Sequence, residues 1–150
     1  MRVEVISIFG EHNQLETATG SAVVIGSEAL DLFEFDDIHR VLQSVPGVYV
    51  REEDGYGLRA NIGMRGTGQN RSEKVTIMED GVLAAPAPYA APAAYYFPTA
   101  GRMQQVEVLK GTSSAMYGPR TTGGVINMVS RQIPDEALAG QMSVQAGQDG

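Results

Sequence analysis

Residues 106–131 read VEVLKGTSSAMYGPRTTGGVINMVSR. Two apolar runs flank a hinge of small residues. With Gln105 in front, the first run predicts a strand over 105–110. Gly111 breaks it, residues 113–117 hold one short helical turn, and Gly118-Pro119 ends that turn. Gly123-Gly124 leads into a second strand over 125–130. Glu107 stands between Val106 and Val108, and Lys110 closes the same strand. These charges either line a solvated face or need partners, each other or something outside the chain.

Working outward, residues 74–78 form a third strand, and Glu79-Asp80-Gly81 makes a hairpin-type turn in which Gly81 takes a positive φ. Residues 62–65, with Arg65 at the end, read as another short strand, followed by the loop GTGQNRSE. Residues 35–47, FDDIHRVLQSVPG, carry the helix signal. Ile38, Val41, Leu42 and Val45 recur at i, i+3, i+4 and i+7, one helical face. Asp36 is the expected N-cap, Asp37 favours the positive end of the dipole, and Phe35 staples to the apolar face. Pro46-Gly47 stops the helix before a short strand over 48–50. Ahead of it lie two apolar runs, 3–9, read as an extended leader, and 22–25, read as a short strand, separated by GEHNQLETATGS. Short strands mixed with short helices predict an α+β chain with a small mixed β-sheet.

Residues 82–102, VLAAPAPYAAPAAYYFPTAGR, carry no charge before Arg102. Their prolines exclude a helix or a central strand, which leaves a stiff apolar loop tipped by tyrosines.

The 150-residue chain is 43% hydrophobic and 19% charged, a globular composition. A net charge of −7 speaks against nucleic acid, which wants clustered Lys and Arg. The absence of cysteine excludes disulfides and thiolate metal sites. GMRGTG (63–68) is not a dinucleotide fingerprint, and KGTSSAMYGP lacks the ending of a phosphate loop. His12 falls in the leader, and His39 is off the apolar stripe, so it is expected on the surface. Glu52-Glu53-Asp54, Glu79-Asp80 and Asp135-Glu136 read as solvated loop charge. Nothing assembles a catalytic constellation or a metal-ligand set, so no enzyme is expected.

In order along residues 35–134, VLQSVPGVYV, NIGMRG, VTIMEDGV and the 106–131 stretch resemble the plug domain of TonB-dependent outer-membrane receptors. In the last stretch Glu107, Gly111, Tyr117, Gly118, Gly123, Gly124, Val125, Ile126 and Asn127 all fall in place. APAPYAAP is similar to the corresponding loop of ferric-citrate-type receptors. The resemblance implies a leader over 1–20, a plug over 21–134 and, over 135–150, the start of the first strand of an outer-membrane barrel. It implies uptake of a ferric chelate bound at apical loops, with no resident cofactor. Tyr89, Tyr95 and Tyr96 of the Pro-Tyr loop, and Tyr56 and Arg59 of the 51–61 loop, are the candidate ligand residues. Dry packing of those tyrosines against a barrel wall is the competing reading. Val3, Glu4, Val5, Ile6 and Ser7 (VEVIS) are the candidate TonB box, which pairs as an added strand with the periplasmic partner TonB. A buried edge strand is the alternative there. Arg65 and Lys110 map onto two basic residues that pair with barrel glutamates; the second is usually arginine, and lysine cannot make the bidentate fork. Competing functions are a free-standing periplasmic or secreted binding module with this fold and, further off, a phosphate-handling enzyme.

Overall fold

The computed structural model describes residues 20–33, 37–53, 61–85, 97–136, 138–140, 142 and 144. Along the chain run β1 (Ser21–Ile25), α1 (Ser27–Phe33), α2 (Ile38–Gln43), β2 (Val48–Val50), β3 (Ile62–Met64), β4 (Val75–Glu79), β5 (Val82–Ala85), β6 (Met103–Lys110) and β7 (Gly124–Ser130). Short 3-10 turns occur at Asn70–Ser72, Ala100–Arg102 and Thr112–Tyr117. Five strands form one mixed sheet in the order β1-β6-β7-β4-β5, and β2-β3 is a separate antiparallel ribbon. Among the described residues only the β4–β7 pair is parallel. This is the small mixed sheet with short helices expected from the sequence.

Alternate residues of a strand point to opposite faces. Val75, Ile77, Val106, Val108, Ile126 and Met128 therefore share one face. They form the main core with Ile38, Val41, Leu42 and Val45 of the α2 region and with Ile62 and Met64 of the ribbon. Burying each large aliphatic side chain there contributes about 1.5–3 kcal/mol. The other face carries a smaller cluster of Met78, Leu109 and Val125, against which Tyr117 packs.

Several local expectations need correction. The N-cap of α2 is Asp37, one residue later than expected: its backbone is extended and its carboxylate accepts the His39 backbone N–H. Phe35 and Asp36 lie outside the described residues. His39 is 1% exposed rather than on the surface, because Asn61, at the start of the ribbon's second strand, packs against the side of α2 away from the aliphatic stripe. α1 was not anticipated; in SEALDLF Leu30 is anchored in the core whereas Leu32 is exposed, and seven residues are too few for a clear periodic signal. Residues 82–85 belong to an edge strand rather than to the loop, since the first proline comes only at 86. The turn before it has Asp80 (φ 49°) as well as Gly81 (φ 74°) left-handed, the geometry of a type I′ hairpin. Arg65 is not in a strand; it has φ 50° and begins the turn that follows β3. Among the described residues no strand follows Ser130, and no helix is long and apolar enough to cross a membrane.

Candidate functional site

Two polar assemblies lie on this framework. The first gathers the two basic residues singled out above. Lys110 ends β6 opposite Ser21 of β1, and although 4% exposed it donates from Nζ to the Pro46 carbonyl at 2.6 Å. Arg65 is exposed, and its backbone N–H donates to the Gly47 carbonyl. The Pro46-Gly47 corner therefore holds both basic residues, one by side chain and one by backbone. The Arg65 guanidinium lies over Gly111, where a Cβ would stand only 3.1 Å from Nη1. Arg65, Gly111, Thr112, Pro119 and Thr122 border an open groove of about 620 Å³. Its floor is riveted by Ser114 Oγ, 2.6 and 2.9 Å from the Gly111 and Thr121 carbonyls, and by Thr121 Oγ1 donating to the Gly118 carbonyl.

Burial, and secondarily the Arg65 charge, lower the pKa of Lys110. A base with a lowered folded-state pKa is costly while charged. That cost is fully present at neutral pH and is lifted as pH rises from the folded pKa towards 10.5. Tyr117 has the opposite sign: burial, then Glu107, raise its pKa, so its contribution to stability falls as pH rises past 10.0. Wild type should therefore gain stability relative to Lys110→Met between neutral pH and pH 10, and Tyr117→Phe should soften the decline above it. Urea midpoints across that range check both signs.

The second assembly is a buried relay. Glu107 is fully buried opposite Asn127 in the β6–β7 register. Its two oxygens accept from Gln105 Nε2 and Asn127 Nδ2, each at 2.8 Å. Asn127 Oδ1 accepts the Gly81 backbone N–H at 2.9 Å. Asp80 Oδ1 takes the Ser130 N–H at 2.8 Å, and the Asp80 N–H donates to the Met128 carbonyl. The carboxylates of the turn are thus engaged rather than merely solvated: Asp80 ties it to β7, and Glu79 pairs with Arg102. The charge on β6 finds its partner within the chain.

The structure keeps Arg65 and Lys110 near one corner. Tyr56, Arg59, Tyr89, Tyr95 and Tyr96 lie outside the described residues, as do Val3, Glu4, Val5, Ile6 and Ser7. Sequence reasoning missed the buried Asp37–His39–Asn61 group; the available signal was an aspartate two residues before a histidine at a helix start. Among the described residues no group of three His, Asp or Glu could hold a metal ion.

The framework is thus a mixed sheet packed against a short helix and a ribbon, with Glu107 and Lys110 held by partners inside the chain and Arg65 on the surface. The family model of the TonB-dependent receptor plug domain matches residues 14–125, and the chain belongs to that family. It is 30% identical over 127 residues to the vitamin B12 transporter BtuB of Photobacterium profundum, covering 85% of this chain and 20% of that protein. The BtuB of Vibrio vulnificus is 29% identical over 135 residues, 90% of this chain and 21% of that protein. Among solved structures, the unliganded ferric citrate transporter FecA superposes with a TM-score of 0.72 at 30% identity, over 85% of this chain and 20% of that one. The siderophore receptor PirA from Acinetobacter baumannii gives 0.59 at 25% identity, over 82% and 19%. The chain spans about a fifth of the length of these relatives. The plug resemblance carried by residues 35–134 is borne out, and with it a family of receptors and transporters rather than enzymes.

Proposed function

We propose that this chain is the plug of an outer-membrane receptor that takes up a ferric chelate using energy delivered by TonB. The observation that carries the reading is the fold match to the ferric citrate transporter across most of the chain. In this reading the plug stands inside a barrel about 22 strands round. Tyr56, Arg59, Tyr89, Tyr95 and Tyr96 meet the ligand from outside, where rigid aromatic surface and a guanidinium suit an anionic chelate. Val3, Glu4, Val5, Ile6 and Ser7 meet TonB as an added strand. Arg65 and Lys110 face acidic groups of the barrel. Arg65 is free to reach out, whereas Lys110 must leave the Pro46 carbonyl or share its remaining donors. No resident cofactor is required; the iron is cargo.

A second reading, uptake of a cobalamin, is favoured by the vitamin B12 transporters among the relatives. A free-standing binding module is the remaining alternative. The gene carrying this segment, expressed in a strain lacking its own receptors, separates them. Energised accumulation of iron from ferric citrate supports the first reading, accumulation of labelled cyanocobalamin the second, and neither, with no barrel encoded downstream, the module. Val5→Pro should reduce TonB-dependent accumulation by about tenfold or more while leaving surface binding unchanged, because proline removes a ladder donor. Unchanged accumulation would remove residues 3–7 from the TonB contact.

A further inference from the structure

The proposed uptake function leaves one buried polar group unused. Asn61 is fully buried at the base of the ribbon, and its backbone N–H donates to His39 Nε2 at 3.3 Å. Nε2 is therefore the acceptor, and the neutral ring carries its hydrogen on Nδ1. That nitrogen stands 2.9 Å from Asp37 Oδ1, which also accepts the His39 backbone N–H. The ring is held at both nitrogens, one bonded to the cap of its own helix and the other to the ribbon.

Asn61 is itself a hub. Its carbonyl accepts from the Arg51 N–H, and its Oδ1 accepts from the Arg71 N–H. Arg71 and Ser72 are consecutive left-handed residues, at φ 52° and 51°. Ser72 Oγ accepts the neighbouring Ile62 N–H. Such backbone persists only where surrounding bonds over-determine it. Two atoms of the group, Asp37 Oδ2 and Asn61 Nδ2, are buried without a hydrogen-bond partner. Orphans of this kind are rare in a settled interior. Here one is an acceptor and one a donor, on the two residues that His39 joins.

We infer that His39 is a positioning residue: its Nε2 fixes Asn61, and with it the Arg51–Asn61 rung from which residues 52–60 depart, relative to α2. The inference rests on the uptake reading in one respect, that Tyr56 and Arg59 of this segment meet the ligand. The far end of α2 is tied as well, since the Pro46 carbonyl just beyond it accepts from Lys110 Nζ. Helix α2 is thus a strut between the Arg51–Asn61 rung and the end of β6.

Two isosteric substitutions separate positioning from packing. The amide nitrogen of asparagine can stand where His39 Nδ1 stands, and the amide oxygen of glutamine where Nε2 stands. His39→Asn keeps the bond to Asp37 and loses the one to Asn61; His39→Gln restores an acceptor for Asn61. Hydrogen exchange is read by mass spectrometry on the whole receptor, in peptides covering 51–62, with β6 as the reference. His39→Asn should accelerate exchange in 51–62 by about tenfold or more and leave β6 unchanged, while His39→Gln stays within about threefold of wild type. Equal acceleration in both variants, acceleration that includes β6, or none in His39→Asn would overturn the inference. The readout needs no ligand, so its failure is distinguishable from failure of the uptake assay.

Discussion

Asn127→Ala should lower the melting temperature of the chain by about 10–20 °C, the loss of about 3–5 kcal/mol for a domain of this size. Asn127 is fully buried and joins Glu107 to the hairpin turn. Its removal takes one donor from a carboxylate that is itself 0% exposed, and that shortfall alone costs about 2–3 kcal/mol. It also frees the Gly81 N–H, worth about 1 kcal/mol, and leaves a small void between the strands. A total stability of about 5–15 kcal/mol has little room for such a loss. Asn127→Asp is the informative control. It keeps the volume but sets a second carboxylate beside Glu107, and two like charges at that distance cannot both remain ionised without cost. Asn127→Asp should therefore recover stability as pH falls and one of the pair takes a proton, whereas Asn127→Ala should not. Thermal melts at neutral and mildly acidic pH provide the check. A loss under about 1 kcal/mol in Asn127→Ala would mean that water replaces the amide and that the relay does not hold the turn.

The contrast between Glu107 and His39 shows what was legible in the sequence. The strands over 105–110 and 125–130 were readable because each is a short apolar run bounded by turn residues, and such a run is visible without knowledge of the partner strand. Hence Glu107 could be marked as a charge in need of a partner. Its partner could not be named, because Asn127 faces it only through the β6–β7 register. The turn at 79–81 was legible from Asp-Gly chemistry, yet its attachment to β7 through Asp80 depends on the parallel β4–β7 pair, which joins segments far apart in the chain. The stripe on α2 correctly placed Ile38, Val41, Leu42 and Val45 in the core. The same periodicity sent His39 to the wrong surface, because a helix covered by a sheet on one side and a ribbon on another has no single solvent face. Lys110 was located, but its acceptor is a backbone carbonyl 64 residues away, and carbonyls carry no sequence signal.

Gly124→Ala should cost about 3–5 kcal/mol, more than substitution of any glycine standing in open space. Gly124 begins β7 with φ +153°. A Cβ built there would lie 2.5 Å from the Leu109 carbonyl oxygen and 2.5 Å from Met64 Sδ. The two obstacles differ in kind. Met64 is fully buried but ends in a flexible thioether that can swing, giving up its place in the core. The Leu109 carbonyl belongs to β6, whose pairing with β7 at Leu109↔Val125 holds it in place. Relief must come from moving a strand that is itself wedged between β1 and β7. Gly118→Ala measures the backbone contribution alone, since Gly118 has φ +123° with no atom within 4 Å of its virtual Cβ; about 1–3 kcal/mol is expected. The excess in Gly124→Ala is then steric. Adding Met64→Ala to Gly124→Ala should remove the side-chain clash but not the carbonyl clash, so the double variant should be less unstable than the sum of the singles and still well below wild type. Urea midpoints of wild type and the four variants decide the point. Should Gly124→Ala prove no worse than Gly118→Ala, β6 yields more readily than a paired central strand can, and the tight crossing of β7 with β6 and the ribbon would not be what makes this position a glycine.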